Sequence, residues 1–220
     1  MGSGDNIIME IILVLVPMIL SLSVHEFAHA WSARLLGDTT AQAEGRLTLN
    51  PLAHIDPIGT LLLPVILIVS ASGFFFGWAK PVPVNPTRFT RKISMRKGML
   101  LTAAAGPASN LVLAVVSAAI LAVFWHGDLV ATDSAFVGLL IRMLSINIAL
   151  AVFNLIPIGP LDGQKVLVGL LPYESATKFE RFNYQYGSWA MLAVIIFGAR
   201  LIAIPYSAII TALLTVFQLR

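Results

Sequence analysis

Apolar residues dominate five blocks of the chain, Ile7–Ala33, Ile58–Phe76, Gly98–Trp125, Ala135–Ile156 and Ser188–Leu219, and most charged residues collect between them. A helix rises about 1.5 Å per residue, so roughly 20 apolar residues cross a hydrocarbon layer about 30 Å thick. The first, third and fourth blocks predict spanning helices. Pro64 and Gly73 break the second block, and Arg200 and Pro205 interrupt the fifth, which reads as one tilted span or a short hairpin. Gly37-Asp38-Thr39-Thr40 ends the first helix. Residues 41–50 (AQAEGRLTLN) alternate weakly and predict one or two short strands, a small re-entrant β element. Asn50-Pro51 and Asp56-Pro57 mark a loop, and Pro81, Pro83 and Pro86 force an extended segment. The predicted class is an all-α polytopic membrane bundle carrying that β element. With no repeat, linker or appended soluble domain in view, residues 1–220 read as one membrane-embedded domain. Residues 1–6 are Gly/Ser-rich, a composition that suits a cloning remnant, and they lack the positive charge of a signal peptide.

Composition agrees with the pattern. Apolar residues make up 58% and charged residues 11%, against about a quarter charged in soluble domains. The lipid bilayer is therefore the first expected partner. A formal charge of +3 is too small to argue for nucleic acid. The absence of cysteine removes disulfides, thiolate metal sites and cysteine nucleophiles.

Charge placement orients the blocks. Arg88, Arg91, Lys92, Arg96 and Lys97 fall in one loop without an acid between them, and the loop after the third block carries Asp128 and Asp133 without a base. The positive-inside rule puts the basic loop in the cytoplasm and the acidic loop outside. The third block then runs outward and the fourth inward, bringing Asp162 to the cytoplasmic end. If Asp162 and His29 share one metal, the first helix also ends inward and Ile58–Phe76 does not fully cross.

The chemistry centres on His25-Glu26-Phe27-Ala28-His29 near the end of the first helix. Histidines four apart lie one turn apart on one helical face, so both imidazoles reach one Zn²⁺. Glu26 is free to take a proton from a water that attacks a carbonyl. Ionisable residues at membrane depth are expensive and usually functional. A catalytic zinc needs a third protein ligand. Asp162, after Pro157 and Pro160, is the best placed, although it equally suits an N-cap for residues 163–171. Asn154 is a candidate oxyanion or substrate donor, or a helix–helix hydrogen bonder. Asn110, in Gly106-Pro107-Ala108-Ser109-Asn110, reads first as a packing residue and second as a substrate contact. His54 is a loop hydrogen bonder or a substrate or gating contact. His126 reads as interfacial.

These segments resemble the site-2 protease family of intramembrane metalloproteases, peptidase family M50. HEFAH is similar to the family's first zinc motif, and Asn154–Gly163 (NLIPIGPLDG) to its second. The segments GRLTLNPLAHIDPIGT, FGWAKPVPVNP and AGPASNL resemble a compact prokaryotic subgroup, without a PDZ or CBS domain and with a longer insert over 40–89. The resemblance implies His25, His29 and Asp162 as zinc ligands and Glu26 as catalytic base. It implies a prokaryotic cytoplasmic membrane and cleavage of a transmembrane protein substrate near its cytoplasmic side; oligomeric state stays open. An extended substrate is expected to add to the strand at 41–50. The competing expectations are a non-enzymatic membrane zinc binder or carrier, a zinc hydrolase of lipid-like amides, and an inactive scaffold.

Overall fold

The computed structural model describes residues 3–70, 76–127, 129, 131 and 134–219, with side chains from residue 7 onward. Gly73, Asp128 and Asp133, used above to read a break and an acidic loop, lie outside the described residues.

The first block forms α1, Ser3–Leu35. It ends where Gly37 turns to a φ of 103°, with Gly37 N–H donating to Arg34 O and Asp38 N–H to Ala33 O, both at 2.9 Å. This paired closure needs the left-handed backbone that glycine tolerates. Gly37 is also tight for space: a β-carbon there would stand 3.2 Å from Arg88 O and Thr90 N.

The third and fourth blocks form α4, Met95–His126, and α5, Ala135–Asn154. Each starts on an extended serine, Ser94 or Ser134, whose hydroxyl accepts an N–H from the first turn. Between α1 and α4 lie one helical turn, α2 (Thr40–Ala43), and α3 (Leu63–Val69). After α5 come α6 (Asp162–Leu170), α7 (Tyr173–Phe197) and α8 (Ala199–Val216).

Among the described residues, four helices are long and apolar enough to cross a membrane: Ile7–Leu35 of α1, α4, α5 and α8. Their surfaces match that reading. Val112, Val123, Leu201, Ile204 and Val216 are each more than 60% exposed, an apolar exterior that water would penalise and lipid does not. The interior uses small residues for close approach. Ala114 and Ala118 of α4 meet Leu144, Ile148 and Val152 of α5, and Ile202, Tyr206, Ile209 and Leu213 of α8 cover the cluster. Met18 and Leu22 of α1 pack with Ile146.

Contacts set the directions. Thr90 N–H donates to Leu36 O at 2.7 Å, so α4 begins where α1 ends. Gly138, near the start of α5, faces Leu13 of α1, so α5 runs parallel to α1. His126, at the end of α4, hydrogen-bonds Phe217 O after α8 at 3.1 Å, which ties those two ends together. The end of α1, the basic loop, the end of α5 and Asp162 therefore share one end of the bundle. Among its described residues, the second block contributes six π-helical residues, Pro57–Leu62, and the seven of α3, a helical stretch shorter than the roughly 20 residues of a span. The fifth block breaks at Gly198, between α7 and α8, rather than at Arg200 or Pro205.

One expectation is overturned. Among the described residues there is no strand, and 41–50 is not a β element. Thr40–Ala43 takes a helical turn, Gly45 follows at a φ of 67°, and Arg46 is drawn inward to donate to Lys80 O at 2.6 Å. Ala-Gln-Ala favours a helical turn, and a buried guanidinium tied to a distant carbonyl sets the path more strongly than weak alternation.

Asp38 anchors this insert. Its carboxylate is buried and accepts from Thr40 N–H at 2.9 Å, from the Thr40 hydroxyl, and from Asn85 N–H at 2.6 Å. Asp38→Ala is expected to destabilise the protein by about 2–4 kcal/mol, read as a lower denaturation midpoint, and to loosen the segment around Asn85.

Candidate metal centre

His25 and His29 project from the same face of α1, their rings edge to face with centroids 4.6 Å apart. Asp162 reaches them from the first residue of α6. Its Oδ2 lies 3.2 Å from His25 Nε2 and 3.1 Å from His29 Nε2, and the two Nε2 atoms are 3.0 Å apart. All three residues are buried. The capping alternative for Asp162 is not adopted: Leu161 occupies the cap position, no side chain caps the helix, and the carboxylate faces the imidazoles.

The opposite ring edges show what the cluster can hold. His29 Nδ1–H donates to Thr102 O at 2.7 Å, and His25 Nδ1–H donates to Asn110 Oδ1 at 2.6 Å. With protons committed there, two bare Nε2 atoms and a carboxylate oxygen converge. Three acceptors repel one another unless a cation lies among them. Donors in a tetrahedral zinc site with bonds of about 2.05 Å sit roughly 3.3 Å apart, close to the spacing here. Two imidazoles and one carboxylate suit zinc.

Glu26 lies on the wall of the same cavity, about 420 Å³ in volume, that the three donors line. Its Oε2 accepts from Val82 N–H at 2.8 Å. Val82 belongs to the proline-rich extended segment, in which Pro81 and Pro83 have no N–H to offer. That segment is pinned on both sides of Val82: Lys80 N–H donates to His54 O at 2.9 Å, and Asn85 N–H reaches Asp38.

Chain 127–198 matches the profile of peptidase family M50. The protein named "Putative zinc metalloprotease YwhC" of Bacillus subtilis is 42% identical over 163 residues, 72% of this chain and 69% of that protein. The chain belongs to peptidase family M50. Two further relatives carry the name "Putative zinc metalloprotease Rip2". The one from Mycolicibacterium smegmatis is 36% identical and the one from Mycobacterium tuberculosis 31%, each over 71% of this chain and 56% of the relative's length. The chain thus spans little more than half of those two proteins. No solved structure matches it.

The remaining candidate residues of this M50 peptidase fall in different places. Asn154, the last residue of α5, lines the cavity, and its amide donates to Leu150 O of its own helix at 3.0 Å. Asn110 sits behind His25, away from the Nε2 edge. His54 is buried, donates from Nε2 to Thr48 O at 2.8 Å, and is not among the cavity-lining residues. Sequence reasoning missed Thr102, whose carbonyl orients His29, and Asn147, which bonds Asn110 at 2.8 Å. Asn147 had a signal: an amide in the middle of an apolar span needs a partner.

Proposed function

We propose that the chain is a zinc metalloendopeptidase that hydrolyses a peptide bond within or beside the transmembrane segment of a membrane-protein substrate. His25, His29 and Asp162 hold the metal, and Glu26 is the catalytic base. The observation that carries the reading is the convergence of three buried donors, with Glu26 on the same cavity wall, inside a bundle of spanning helices.

Zinc, held by His25, His29 and Asp162, would supply Lewis acidity to polarise the scissile carbonyl and to lower the pKa of a water to about 7. The Val82 N–H occupies Glu26 Oε2, which leaves Oε1 to take the proton of the attacking water and pass it to the departing amine. Asn154, on the cavity wall, is the donor we assign to the carbonyl oxygen as charge builds on it. Mostly apolar walls, including Leu22, Phe76, Val84 and Phe153, suit a segment drawn from lipid. The substrate must arrive locally unwound, because helical amides are hydrogen-bonded and shielded. Arg88, Arg91, Lys92, Arg96 and Lys97 lie at the metal's end of the bundle, which supports a cytoplasmic-side site in a prokaryotic cytoplasmic membrane. A metal carrier has no use for a carboxylate held on the cavity wall, so Glu26 favours the enzyme.

The test is cleavage of a single-span reporter protein by the purified chain in lipid vesicles. Chelation is expected to abolish cleavage and added zinc to restore it. Hydrolysis that survives complete zinc removal would overturn the metal assignment. Zinc-dependent cleavage of water-soluble peptides with none of any membrane-spanning reporter would overturn the intramembrane part.

A further inference from the structure

Behind His25 lies a buried chain of hydrogen bonds that leads away from the metal donors. Asn110, Asn147 and Ser21 are each 0% exposed. Asn147 Nδ2 donates to Met143 O and to Ser21 Oγ, both at 2.8 Å. Ser21 Oγ in turn donates to Pro17 O at 2.6 Å. Asn147 Oδ1 accepts from Asn110 Nδ2 at 2.8 Å, and the same nitrogen reaches Ser21 O at 3.3 Å. Asn110 Oδ1 is left facing His25 Nδ1 at 2.6 Å.

The direction of these bonds is dictated by the far end. Pro17 O, Met143 O and Ser21 O are main-chain carbonyls and only accept. Met143 O therefore demands the nitrogen of the Asn147 amide, and Pro17 O takes the only hydroxyl hydrogen of Ser21. Both hydrogens of Asn147 Nδ2 are then spent, and its oxygen must face Asn110. Asn110 must answer with its nitrogen, so its oxygen meets the imidazole. Turning either amide over would set acceptor against acceptor in a fully buried site. His25 Nδ1 has to carry a proton, so in the neutral ring Nε2 is left bare toward Asp162. His29 reaches the same tautomer with a single bond to Thr102 O.

We infer that Asn147 is a positioning residue for the metal centre: acting through Asn110, it holds His25 in the Nδ1–H tautomer and keeps the Nε2 lone pair free for the metal. The zinc consequence rests on His25 being a ligand; the tautomer does not. Partners that fix a ligand histidine from behind typically affect metal affinity by about 10–100-fold.

The test uses the full chain in detergent micelles, labelled with ¹⁵N-histidine, zinc-free, and at alkaline pH. Wild type is expected to show His25 protonated at Nδ1. In Asn147→Leu, Asn110 loses the acceptor that orients it. The His25 proton is then expected to shift toward Nε2, where Asp162 Oδ2 waits 3.2 Å away, while the His29 signal stays put. Zinc affinity by chelator competition should fall about 10–100-fold. Adding Asn110→Asp should restore both readouts, because a carboxylate accepts from His25 whichever oxygen faces it. Asn147→Ala removes the same acceptor with less bulk and serves if leucine does not pack. An unchanged His25 tautomer in a folded Asn147 variant overturns the inference, whatever happens to thermal stability. A shifted tautomer with unchanged zinc affinity supports the relay and overturns His25 as a zinc ligand.

Discussion

Replacing Glu26 with Gln is expected to lower peptide cleavage by about 10²–10⁴-fold while leaving zinc content at the wild-type level. The substitution keeps the shape of the side chain. A glutamine carbonyl can still accept from Val82 N–H, where Glu26 Oε2 now accepts at 2.8 Å, so the proline-rich segment keeps its anchor. What disappears is a group that can take and return a proton. Glu26 is not among the three converging donors, His25, His29 and Asp162, so metal retention follows from the same geometry. The measurement pairs turnover on a membrane-spanning reporter with elemental analysis of purified protein. Retained turnover would remove Glu26 as the base. Lost zinc would make it a ligand. The variant should also retain uncut substrate, so membrane proteins recovered with it but not with active enzyme are the route to the natural substrate.

The legible parts of the fold are those set by local pattern. Spanning helices follow from unbroken apolar length, and α1, α4 and α5 begin and end within a few residues of the blocks read from hydrophobicity. The histidine pair is legible because a spacing of four fixes a shared helical face before any packing is known. Charge placement brings Asp162 to the end of the bundle that carries the basic loop, and the end of α1 joins it there only if Asp162 and His29 share a metal; Asp162 Oδ2 does lie 3.2 and 3.1 Å from the two imidazoles. The failures are cooperative in origin. The path of 41–50 is decided by Arg46 reaching Lys80 O, 34 residues away in sequence, which alternation cannot report. Asn110 is visible as a polar residue in a span, but its task depends on Asn147 and Ser21 from two other helices. Val82 offered no signal, because its contribution to the site is a main-chain N–H.

Packing at Gly106 gives the second large effect: Gly106→Ala is expected to lower zinc affinity by 10²-fold or more, on the order of 3 kcal/mol, and to abolish cleavage without unfolding the bundle. A β-carbon at Gly106 would stand 2.5 Å from His29 Cε1 and Nε2 and 2.6 Å from His25 Cε1. No real contact is that short, and neither ring can step aside. Each is held from behind at Nδ1, by Asn110 Oδ1 and by Thr102 O, and both holders lie on α4 with Gly106 itself. Either α4 retreats and takes the holders with it, or the rings turn and their Nε2 atoms leave Asp162. Helix propensity acts the other way, since alanine is favoured over glycine in a helix interior by about 1 kcal/mol. The two effects separate by measurement: thermal stability of the zinc-free protein should hold or rise while zinc binding is lost. Gly138→Ala is the matched control. It is also a helical glycine between spans, but its added carbon would meet Leu13 at 3.7 Å, an ordinary contact, so zinc affinity and cleavage should stay near wild type. Equal losses at both positions would point to general disturbance of helix packing. A loss confined to Gly106 would show that the space left by one missing side chain on α4 lets the two histidines and Asp162 meet.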